Sequence, residues 1–546
     1  MNNHEEQIKS LINSIRNICK ANGLGGDANE YKIVTQSFLY KFLNDKFLYE
    51  VGKIKPSIKN YNDLKKLKEN DYKLLMIEVA NNSAHLKPEH LLEFLFTQQD
   101  QNDFDKTFDD TLNDIAISNN DIYSVHTGGN TDIRLFEEQL IGKSIDDKSK
   151  RQGVAKEIIN ALANAKFNFD DIFSAGFDFF STLFEYMIKD YNKDGGGKYA
   201  EYYTPHSIAK VMAEILIGND KPQDVTVYDP SAGSGTLLMN IASRIGTDKC
   251  TIYSQDISQK STNLLRLNLI LNNLSHSINN IIKDDTILHN HHTATTKMNY
   301  IVSNPPFEPQ TSKKEWDDMK AVADLQRDRF PFGIPNLVTS KKVGTKTYIY
   351  LSFLQHIIYS LTDDGKAAVV VPQGFITASS GIGKSIRQLL VGKGWLKGVV
   401  SMPSNIFATT GTSVSVLFID KTNVNGKVVL VDASKLGEER NDGENKKRYL
   451  SKADEQKIID AFHKLQAIED FSVVLDYEMI KNKHYSFSAG QYFDIKIEYS
   501  DITAKEFNNI ITTRTNRLNG FFAENKKLEN EIATQLKKLK FTGGGE

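Results

Sequence analysis

Short apolar runs alternate with helical stretches along residues 199–425, and this alternation constrains the fold more than any other feature of the sequence. Such alternation is typical of a mostly parallel sheet with helices on both of its faces. The strand candidates are Val225–Tyr228, Thr251–Ser254, Tyr300–Val302, Ala367–Val371, Val399–Val400 and Val414–Ile419. The helix candidates between them include Thr236–Ile245, Asn263–Leu274 and Tyr348–Leu361. We therefore predict an α/β fold built on a doubly wound sheet.

Helical regions flank the predicted sheet on both sides. Residues 1–175 place apolar side chains at helical spacing, for example in Phe38–Leu48 and Leu91–Leu95. The glycine run Gly195–Gly197 marks a flexible connection. A chain of 546 residues is too long for one ordinary core. We predict a helical N-terminal domain, a central α/β domain and a helical tail, at residues 1–175, 176–480 and 481–546.

The tail from Ile502 onward carries a heptad pattern. Its a and d positions are occupied by Leu518, Phe521, Asn525, Leu528, Ile532, Gln535 and Leu539. A single asparagine at an a position is compatible with a paired coiled coil. Two interpretations remain open, namely a terminal helix packed on its own domain and a coiled coil that binds a partner.

Composition narrows the class of protein and its compartment. The 67 basic residues are offset by 69 acidic ones, whereas proteins that bind DNA tightly by themselves usually show a basic footprint. If nucleic acid is the substrate, a local groove or a partner must supply the attraction; the alternative is that no polyanion is bound. Two cysteines, Cys19 and Cys250, are too few for a disulfide framework or a zinc cluster. With no signal-peptide layout and no long apolar span, we expect a cytoplasmic protein.

The candidate catalytic residues follow one of the predicted strands directly. Asn304, Pro305, Pro306 and Phe307 come immediately after Tyr300–Val302 and Ser303. An amide oxygen that accepts from an amino group, two rigid prolines and an aromatic face suit a planar, amine-bearing substrate such as an extruded nucleobase. Average composition gives only about 0.02 such strings in a chain of this length, so chance is a weak explanation.

A second constellation predicts a nucleoside-type cofactor. A strand runs into a turn of small residues and then a helix, which lets the backbone approach a ligand closely. The candidate ligands there are Asp229, Ser231, Gly233, Ser234, Gly235 and Thr236. Asp256 ends the next strand, where a carboxylate usually binds ribose hydroxyls. Asp285 is placed to reach an adenine edge, or else is a solvated loop acid.

The cofactor candidates favour a ligand with a ribose but no phosphate. The loop lacks the full Gly-x-Gly-x-x-Gly of dinucleotide sites, so S-adenosylmethionine is the cofactor we predict. Aromatic and polar residues precede the helix predicted at Ser207–Ile217, and their alternative role is an ordinary helix start with an early proline. These further cofactor candidates are Glu201, Tyr202, Tyr203, Thr204, Pro205 and His206.

A phosphate-loop pattern elsewhere in the chain is rejected. Ala378–Ser385 satisfies a relaxed version of that pattern, with alanine in place of the first glycine. A true phosphate loop follows its strand immediately, yet Ala378 lies seven residues beyond Val371. We therefore do not predict ATP binding at this segment.

Taken together, these segments resemble the gamma-type amino-methyltransferases that act on adenine N6 in DNA, and most closely the methylation subunit of type I restriction–modification systems. The helical N-terminal region also contributes to the resemblance. The segments that carry it are Glu201–His206, Asp229–Thr236, Asp256, Asp285, Asn304–Phe307, Val371–Gly374 and Met402–Thr412. The resemblance implies a Rossmann-like methyltransferase sheet, an S-adenosylmethionine-dependent central domain and a partner-binding tail. It implies that Asn304 and the Pro305 carbonyl accept hydrogen bonds from adenine N6 while Phe307 stacks on the ring, with no metal ion.

The same resemblance implies partners that read and bind DNA. A separate specificity subunit would choose the sequence on double-stranded DNA with a flipped adenine. A second copy of the chain and, in some systems, a restriction subunit would complete the complex. The recognised sequence and the stoichiometry cannot be read from this chain.

Two departures and one loop qualify the resemblance. Asp256 stands where the family commonly has glutamate, and Asp284 stands where glycine is more usual. Residues Glu308–Thr347 are similar to the variable loop that would close over DNA, although an ordinary solvated loop explains them equally well. The candidate phosphate contacts in this loop are Lys313, Lys314, Arg327 and Arg329.

Two other functions stay open at this point. Ribosomal RNA guanine and protein glutamine methyltransferases use closely similar Asn-Pro-Pro-aromatic strings on the same fold, although they are usually shorter. A non-catalytic assembly subunit could also keep the fold as a scaffold. The intact acceptor residue Asn304 and ribose residue Asp256 argue against a scaffold.

Overall fold

The computed structural model describes most of the chain. The described residues are 3–26, 28–79, 83–129, 131–165, 186, 204–340, 344–407, 413–424, 426–442, 445–493 and 502–538. The chain divides into two compact units, Met1–Phe493 and Asp494–Glu546. The domain limits predicted from the sequence, at 175 and 480, remain predictions.

The first unit is built on an eleven-stranded sheet with two small hairpins beside it. The strands are β1 Val125–Thr127, β2 Asp132–Ile133, β3 Val225–Asp229, β4 Cys250–Asp256, β5 Ile281–Lys283, β6 Met298–Ser303, β7 Val338–Ser340, β8 Gly344–Lys346, β9 Leu361–Pro372, β10 Leu396–Ser401, β11 Val414–Asp420, β12 Val428–Asp432, β13 Glu438–Asp442, β14 Asn445–Tyr449 and β15 Ser472–Leu475. The hairpins are the antiparallel pairs β7–β8 and β13–β14.

Helices precede, separate and follow the strands along the chain, and the last helix lies in the tail. They are α1 Asn3–Ala21, α2 Ala28–Ile54, α3 Tyr61–Lys65, α4 Glu69–Glu78, α5 Leu92–Gln98, α6 Phe104–Ser118, α7 Asn120–Tyr123, α8 Leu140–Ser144, α9 Lys148–Asn164, α10 His206–Ile217, α11 Thr236–Ile245, α12 Gln259–Leu271, α13 Lys313–Leu325, α14 Tyr350–Ser360, α15 Gln373–Thr377, α16 Gly381–Gly392, α17 Lys452–His463, α18 Tyr477–Asn482 and α19 Ala504–Lys538. All six predicted strands overlap an observed strand.

The order of the strands determines where a ligand can bind. The sheet runs β15-β12-β10-β11-β9-β6-β3-β4-β5-β1-β2. Strands β5, β4, β3, β6 and β9 run parallel to one another, while β11 inserts antiparallel between β9 and β10. The order in which the chain adds strands reverses between β3 and β6, because β4 and β5 lie on one side of β3 and β6 lies on the other. In open α/β sheets, ligands bind beyond the carboxyl ends of the strands at such a reversal.

Side chains alternate between two cores along the central strands, as the two-residue period of a strand requires. Val227, Val302 and Val370 face the core that contains α10, α11 and α12. Tyr228, Ile301 and Val369 face the opposite core, with α14 and α16. Burial on both faces explains why these strands are continuous apolar runs in the sequence. The predicted α/β class with its doubly wound sheet is confirmed.

The N-terminal region is helical apart from two strands that were not predicted. Strand β1 pairs in parallel with β5 and antiparallel with β2, so this region extends the sheet at its edge. Arg266 on α12 donates to the carbonyl oxygens of Tyr123, Ile133 and Leu135, which ties the region to the helix layer. Strands of two and three residues carry too little periodicity to be recognised in a sequence.

The second unit contains the long helix α19, which confirms the predicted helical tail. Its described side chains are all exposed, including Phe521, Phe522, Leu528 and Ile532. The heptad position Leu539 lies outside the described residues. Whether this helix forms a coiled coil stays a prediction.

Candidate active site

The turn after β3 is held in one shape by its own polar groups. The Asp229 carboxylate accepts a hydrogen bond from the Ser231 backbone N–H at 2.9 Å. The Ser231 hydroxyl lies 2.7 Å from the Ser303 hydroxyl at the end of β6. The Thr286 hydroxyl donates to the Pro230 carbonyl at 2.6 Å. These bonds join the ends of β3 and β6 and the segment after β5 into one rigid edge.

Gly235, the last residue before α11, has a conformation and surroundings that exclude larger residues. Its φ is +82°, and a Cβ atom there would lie 2.2 Å from the Leu265 side chain. The adjacent Ser234 carbonyl accepts from the Asn268 side chain at 3.1 Å. The helix can therefore start close against α12, which keeps its N-terminus at the carboxyl edge of the sheet.

The two predicted nucleoside-binding acids lie at the ends of neighbouring strands, Asp256 as the last residue of β4 and Asp285 two residues after β5. Asp256 accepts from the Gly233 and Ser258 backbone N–H groups, both at 2.8 Å. Asp285 accepts from the backbone N–H groups of Ile287 and Leu288 at 2.8 and 3.1 Å. Each carboxylate has further lone pairs, so both remain able to accept from a ligand.

Asn304 stands at the carboxyl end of β6, between the cofactor turn and the substrate side. Its amide nitrogen donates to the Thr204 hydroxyl at 3.2 Å, across 100 residues of sequence. Thr204 is buried, so this bond holds the amide in a defined orientation. The bond occupies one amide N–H and leaves the amide oxygen available as an acceptor.

Phe307 follows the two prolines and is half-buried. Its ring makes an edge contact with Tyr350, with ring centres 6.0 Å apart and planes at 74°. Tyr350 in turn makes an edge contact with Phe375. This aromatic stack supports Phe307 from behind and limits the rotation of its ring.

A cavity of about 250 Å³ lies over this edge of the sheet. It gathers predicted site residues from five separate segments, which are Thr204, Asp229, Ser231, Gly233, Ser234, Thr236, Asp256, Asp285, Asn304 and Pro306. Its other wall is apolar and contains Ile257, Ile287, Met319 and Phe353. One wall of the cavity is acidic and consists of small residues, and the other wall is apolar. Together they fit a ligand that has polar amino-acid and ribose parts and a flat ring.

Several predicted residues do not line this cavity. Pro205 precedes α10 as its N-terminal cap, and the His206 ring lies 3.4 Å from the Asn240 side chain. Gly235, Pro305 and Phe307 lie beside the cavity rather than in its wall. The predicted residues Glu201, Tyr202 and Tyr203 lie outside the described residues. So do residues 408–412, the end of the segment Met402–Thr412 that contributes to the resemblance.

Arg329 does not contact phosphate as predicted, because its side chain is only 1% exposed. Its guanidinium donates to the carbonyl oxygens of Thr286 and Ile287 and to His356 Nδ1. His356 Nε2 lies 3.2 Å from the Tyr228 hydroxyl, in the strand that ends at Asp229. Arg329 therefore ties the segment after Asn304 to the cofactor side of the cavity. Lys313, Lys314 and Arg327 are exposed on the same segment.

Met319 and Phe353 were not identified from the sequence as parts of the site. Met319 belongs to α13, whose apolar face covers the cavity, and the Ser312–Glu315 capping box starts this helix. Helical periodicity predicts a buried face for such a segment but not what it covers. Ile257 could have been noticed, because it directly follows the ribose-binding candidate Asp256.

Asp229 is a carboxylate in an unfavourable environment. The side chain is almost fully buried, and burial raises the pKa of Asp229 to about 8, with Asp256 nearby adding to the increase. Burial also raises the pKa of Asp256. Two neighbouring acids whose pKa values are raised by burial are arranged to receive positive charge.

Comparison with known proteins assigns the family. Residues 175–501 match the model of the N-6 DNA methylase family, which covers more than half of the chain. The chain belongs to the N-6 DNA methylase family. As an N-6 DNA methylase it is an S-adenosylmethionine-dependent DNA methyltransferase, so the predicted enzyme class and cofactor are confirmed.

Individual relatives of this N-6 DNA methylase are methylase subunits of type I restriction enzymes. The MpnII methylase subunit of Mycoplasma pneumoniae is 26% identical over 79% of each chain. The HindI methylase subunit of Haemophilus influenzae is 22% identical over 73% of this chain and 87% of its own length. The resemblance drawn from the sequence is thereby confirmed, in preference to the RNA, glutamine and scaffold alternatives.

A solved structure supports the fold of this N-6 DNA methylase. The methyltransferase subunit of a type I restriction–modification system from Streptococcus thermophilus superposes with a TM-score of 0.69. It is 22% identical and covers 90% of this chain and 100% of its own. Among the described residues, no helix is long and apolar enough to cross a membrane.

Proposed function

We propose that the chain transfers a methyl group to N6 of an adenine in double-stranded DNA, as the methylation subunit of a type I restriction–modification complex. The observation that carries the proposal is the cavity that combines Asn304 with the three acids Asp229, Asp256 and Asp285. An acceptor for an amino group and a nucleoside-binding wall meet there within one site. S-adenosylmethionine, which is a sulfonium cation, would supply the methyl group.

Asn304 and Pro305 favour reaction at the adenine amino group. The N6 lone pair is delocalised into the ring, so the nitrogen must become more tetrahedral as it attacks. The Asn304 side-chain oxygen and the Pro305 carbonyl would accept hydrogen bonds from the two N6 hydrogens. These hydrogen bonds strengthen as positive charge develops on the nitrogen. Such bonds stabilise the transition state more than the ground state. The nitrogen would then lose one proton to solvent, which gives neutral N6-methyladenine.

Phe307 binds the flipped base by stacking. An adenine that has left the duplex loses its neighbours in the stack, and an aromatic face replaces part of that contact. The edge contact with Tyr350 keeps the Phe307 ring in place for this purpose. Methionine-rich or aliphatic surroundings would give less specific support to a planar ring.

Each of the three acids would bind a different part of the cofactor, through its charge or through hydrogen bonds. Asp256 accepts from the ribose hydroxyls, and Asp285 accepts from the adenine amino group. Asp229 faces the cationic amino-acid end, near the N-terminus of α11. The apolar wall of the cavity contains Ile257, Ile287 and Met319, which would pack on the adenine ring of the cofactor.

The raised pKa of Asp229 predicts that cofactor binding depends on pH. In the free enzyme Asp229 is largely protonated below its pKa of about 8, because burial disfavours the carboxylate. A cationic ligand favours the carboxylate, so binding below pH 8 releases a proton and affinity rises as pH increases from 6 to 8. Calorimetry in buffers of different ionisation enthalpy should detect this proton release.

Asp229→Asn is the matched variant for that measurement. Asparagine keeps an acceptor for the Ser231 N–H but has no proton to release. The variant should bind the cofactor more weakly and with a flatter pH dependence than the parent. Equal pH dependence in both proteins would assign the proton to another group and contradict the prediction.

The balance of charges in this chain and the kind of proteins it is related to indicate its partners. A chain with 67 basic and 69 acidic residues has no excess charge to attract DNA, so a specificity subunit brings the complex to its sequence. The exposed apolar residues of α19, such as Leu528 and Ile532, provide a seam for helical pairing with that subunit. A second copy of the chain, and in some systems a restriction subunit, completes the complex in the cytoplasm.

Parallel methyl transfer assays test this function. The full chain, with and without its specificity subunit, is incubated with methyl-tritiated cofactor and with double-stranded DNA, ribosomal RNA or protein. We expect label in DNA alone, recovered as N6-methyladenine and dependent on the specificity subunit. Label in RNA guanine or in glutamine would overturn the proposal. So would cofactor binding without any transfer in the complete complex, which would indicate an assembly role.

A further inference from the structure

Three potential metal ligands converge beside the cofactor cavity, and the methyl transfer assigns no role to any of these three side chains. Asp284 Oδ2 lies 3.0 Å from His289 Nδ1 and 2.7 Å from His291 Nε2. The three atoms all lie within 4.8 Å of one another. Within the part of the chain that the structure describes, this is the one group of three or more His, Cys, Asp or Glu residues that converges so closely.

The segment that carries these ligands is fixed to the sheet by its neighbours. The Asp284 N–H donates to the Asp256 carbonyl at 3.0 Å, and the Gln255 side chain donates to the His289 carbonyl at 2.7 Å. His292, the next residue after His291, places its ring nitrogen 3.0 Å from the Ser254 carbonyl. The segment is therefore fixed by hydrogen bonds that do not involve the side chains of the three potential ligands.

The two distances from Asp284 Oδ2 to the histidine nitrogens, 3.0 and 2.7 Å, are close to the spacing of neighbouring ligands around one ion. Metal–ligand bonds of about 2.0–2.2 Å to histidine nitrogen and carboxylate oxygen place adjacent ligands about 3 Å apart. A pair of simple histidine–carboxylate hydrogen bonds gives similar distances, but it does not require both histidines to approach the same oxygen. Here both histidine rings approach the same oxygen, Asp284 Oδ2, so the three potential ligand atoms lie around one point.

We propose that Asp284, His289 and His291 form a binding site for a divalent first-row transition-metal ion such as Zn²⁺, Co²⁺ or Ni²⁺. Two imidazole nitrogens favour these ions over Mg²⁺ and Ca²⁺, which prefer oxygen ligands. The side chains are 20%, 58% and 31% exposed, in the order Asp284, His289 and His291, so water can complete the coordination. The site goes beyond methyl transfer and needs no part of that reaction.

The position of the site gives it a structural consequence. Asp284 precedes the adenine-binding candidate Asp285, and the His289 N–H donates to the Asp285 carbonyl at 2.9 Å. An ion bound to Asp284 and His289 would brace the turn between them, which carries Ile287 and Leu288 of the cavity wall.

Gly128 provides a test in which all three ligand residues stay unsubstituted. A Cβ atom at Gly128 would lie 2.0 Å from Asp284 Oδ2 and 2.5 Å from its Cγ, so Gly128→Ala must turn the carboxylate away from the histidines. The neighbouring Gly129 has no such contact, since the nearest atom to its Cβ would be the Thr127 hydroxyl at 3.9 Å. Gly129→Ala is therefore the matched control.

The experiment titrates the full chain, freed of metal by dialysis against EDTA, with Co²⁺ followed by visible absorption and with Zn²⁺ followed by calorimetry. We expect one ion per chain, with Zn²⁺ displacing Co²⁺. His289→Gln, His291→Gln and Gly128→Ala should each weaken binding by at least about tenfold. Gly129→Ala and His463→Gln, a histidine exposed on α17, should bind like the parent.

Two results would overturn the proposal. One is the absence of a one-to-one site for either ion in the parent chain. The other is unchanged affinity in the His289, His291 and Gly128 variants, which would assign the ion to other groups. Far-UV circular dichroism checks that each variant is folded, and neither readout depends on methylation activity.

Discussion

Replacing Asn304 by alanine is expected to lower kcat/KM for DNA methylation by at least about 10³-fold while the cofactor still binds. The variant loses the side-chain acceptor that strengthens as charge develops on adenine N6. Asn304 makes its hydrogen bond to Thr204 from a half-buried position, so its removal leaves the sheet and the carboxylates of Asp229 and Asp256 in place. Single-turnover methylation and calorimetric cofactor binding measure the two properties separately.

Two further variants separate chemistry from positioning at this residue. Asn304→Asp keeps an acceptor oxygen and should retain more activity than the alanine variant. Thr204→Val removes only the hydroxyl that orients the amide, so it should cost less than removal of the amide itself. Methylation that survives in Asn304→Ala would assign the acceptor role elsewhere. Loss of cofactor binding together with activity would make Asn304 a cofactor residue.

Replacing Arg329 by methionine is expected to destabilise the first unit by about 3 kcal/mol, because a charged donor with three buried acceptors is lost. Burial lowers the pKa of Arg329 to about 10, so the guanidinium remains protonated at neutral pH. Burial and the adjacent Arg329 hold the pKa of His356 well below its usual range, so this ring stays neutral and accepts from Arg329 Nε. Methionine fills similar volume but leaves the carbonyls of Thr286 and Ile287 without their donor.

Arg327→Met is the matched control for this prediction. Arg327 lies two residues away on the same segment and is exposed, so its loss should change the free energy of unfolding by less than about 0.5 kcal/mol. Urea denaturation of the two variants measures the difference. Because Arg329 holds the segment that carries Ile287, Arg329→Met should also weaken cofactor binding. Equal stability of both variants would contradict the role given to Arg329.

The central sheet could be predicted because its strands are buried on both faces. Runs such as Ala367–Val371 and Val414–Ile419 are apolar throughout and stand out from their surroundings. Strand β5 was not among the predicted strands, since Ile281–Lys283 is short and only its first residue is fully buried. Strand β1 pairs with β5 and β2 pairs with β1, and such pairing leaves no local signal in the sequence.

The candidate site could be predicted where each residue follows a strand within a few positions. Asp229, Asp256 and Asn304 all do so, and the parallel order of β3, β4 and β6 brings them to one edge. Thr204 was grouped with the cofactor residues, and only the structure shows that its hydroxyl meets Asn304. Met319 and Phe353 were missed because helical periodicity does not say which surface a helix covers.

The sequence by itself determined the chemistry of this protein. An amide, two prolines and a phenylalanine after a buried strand predict an amino-group site, and this information is local because strand, turn and side chain are contiguous. The tertiary structure alone decided how charged residues at a distance are used. Arg329 and Arg327 are equivalent in the sequence, yet one is buried against Thr286 and the other faces solvent. The reason is that burial and hydrogen bonding depend on segments 43 residues apart, which only the packed chain brings together.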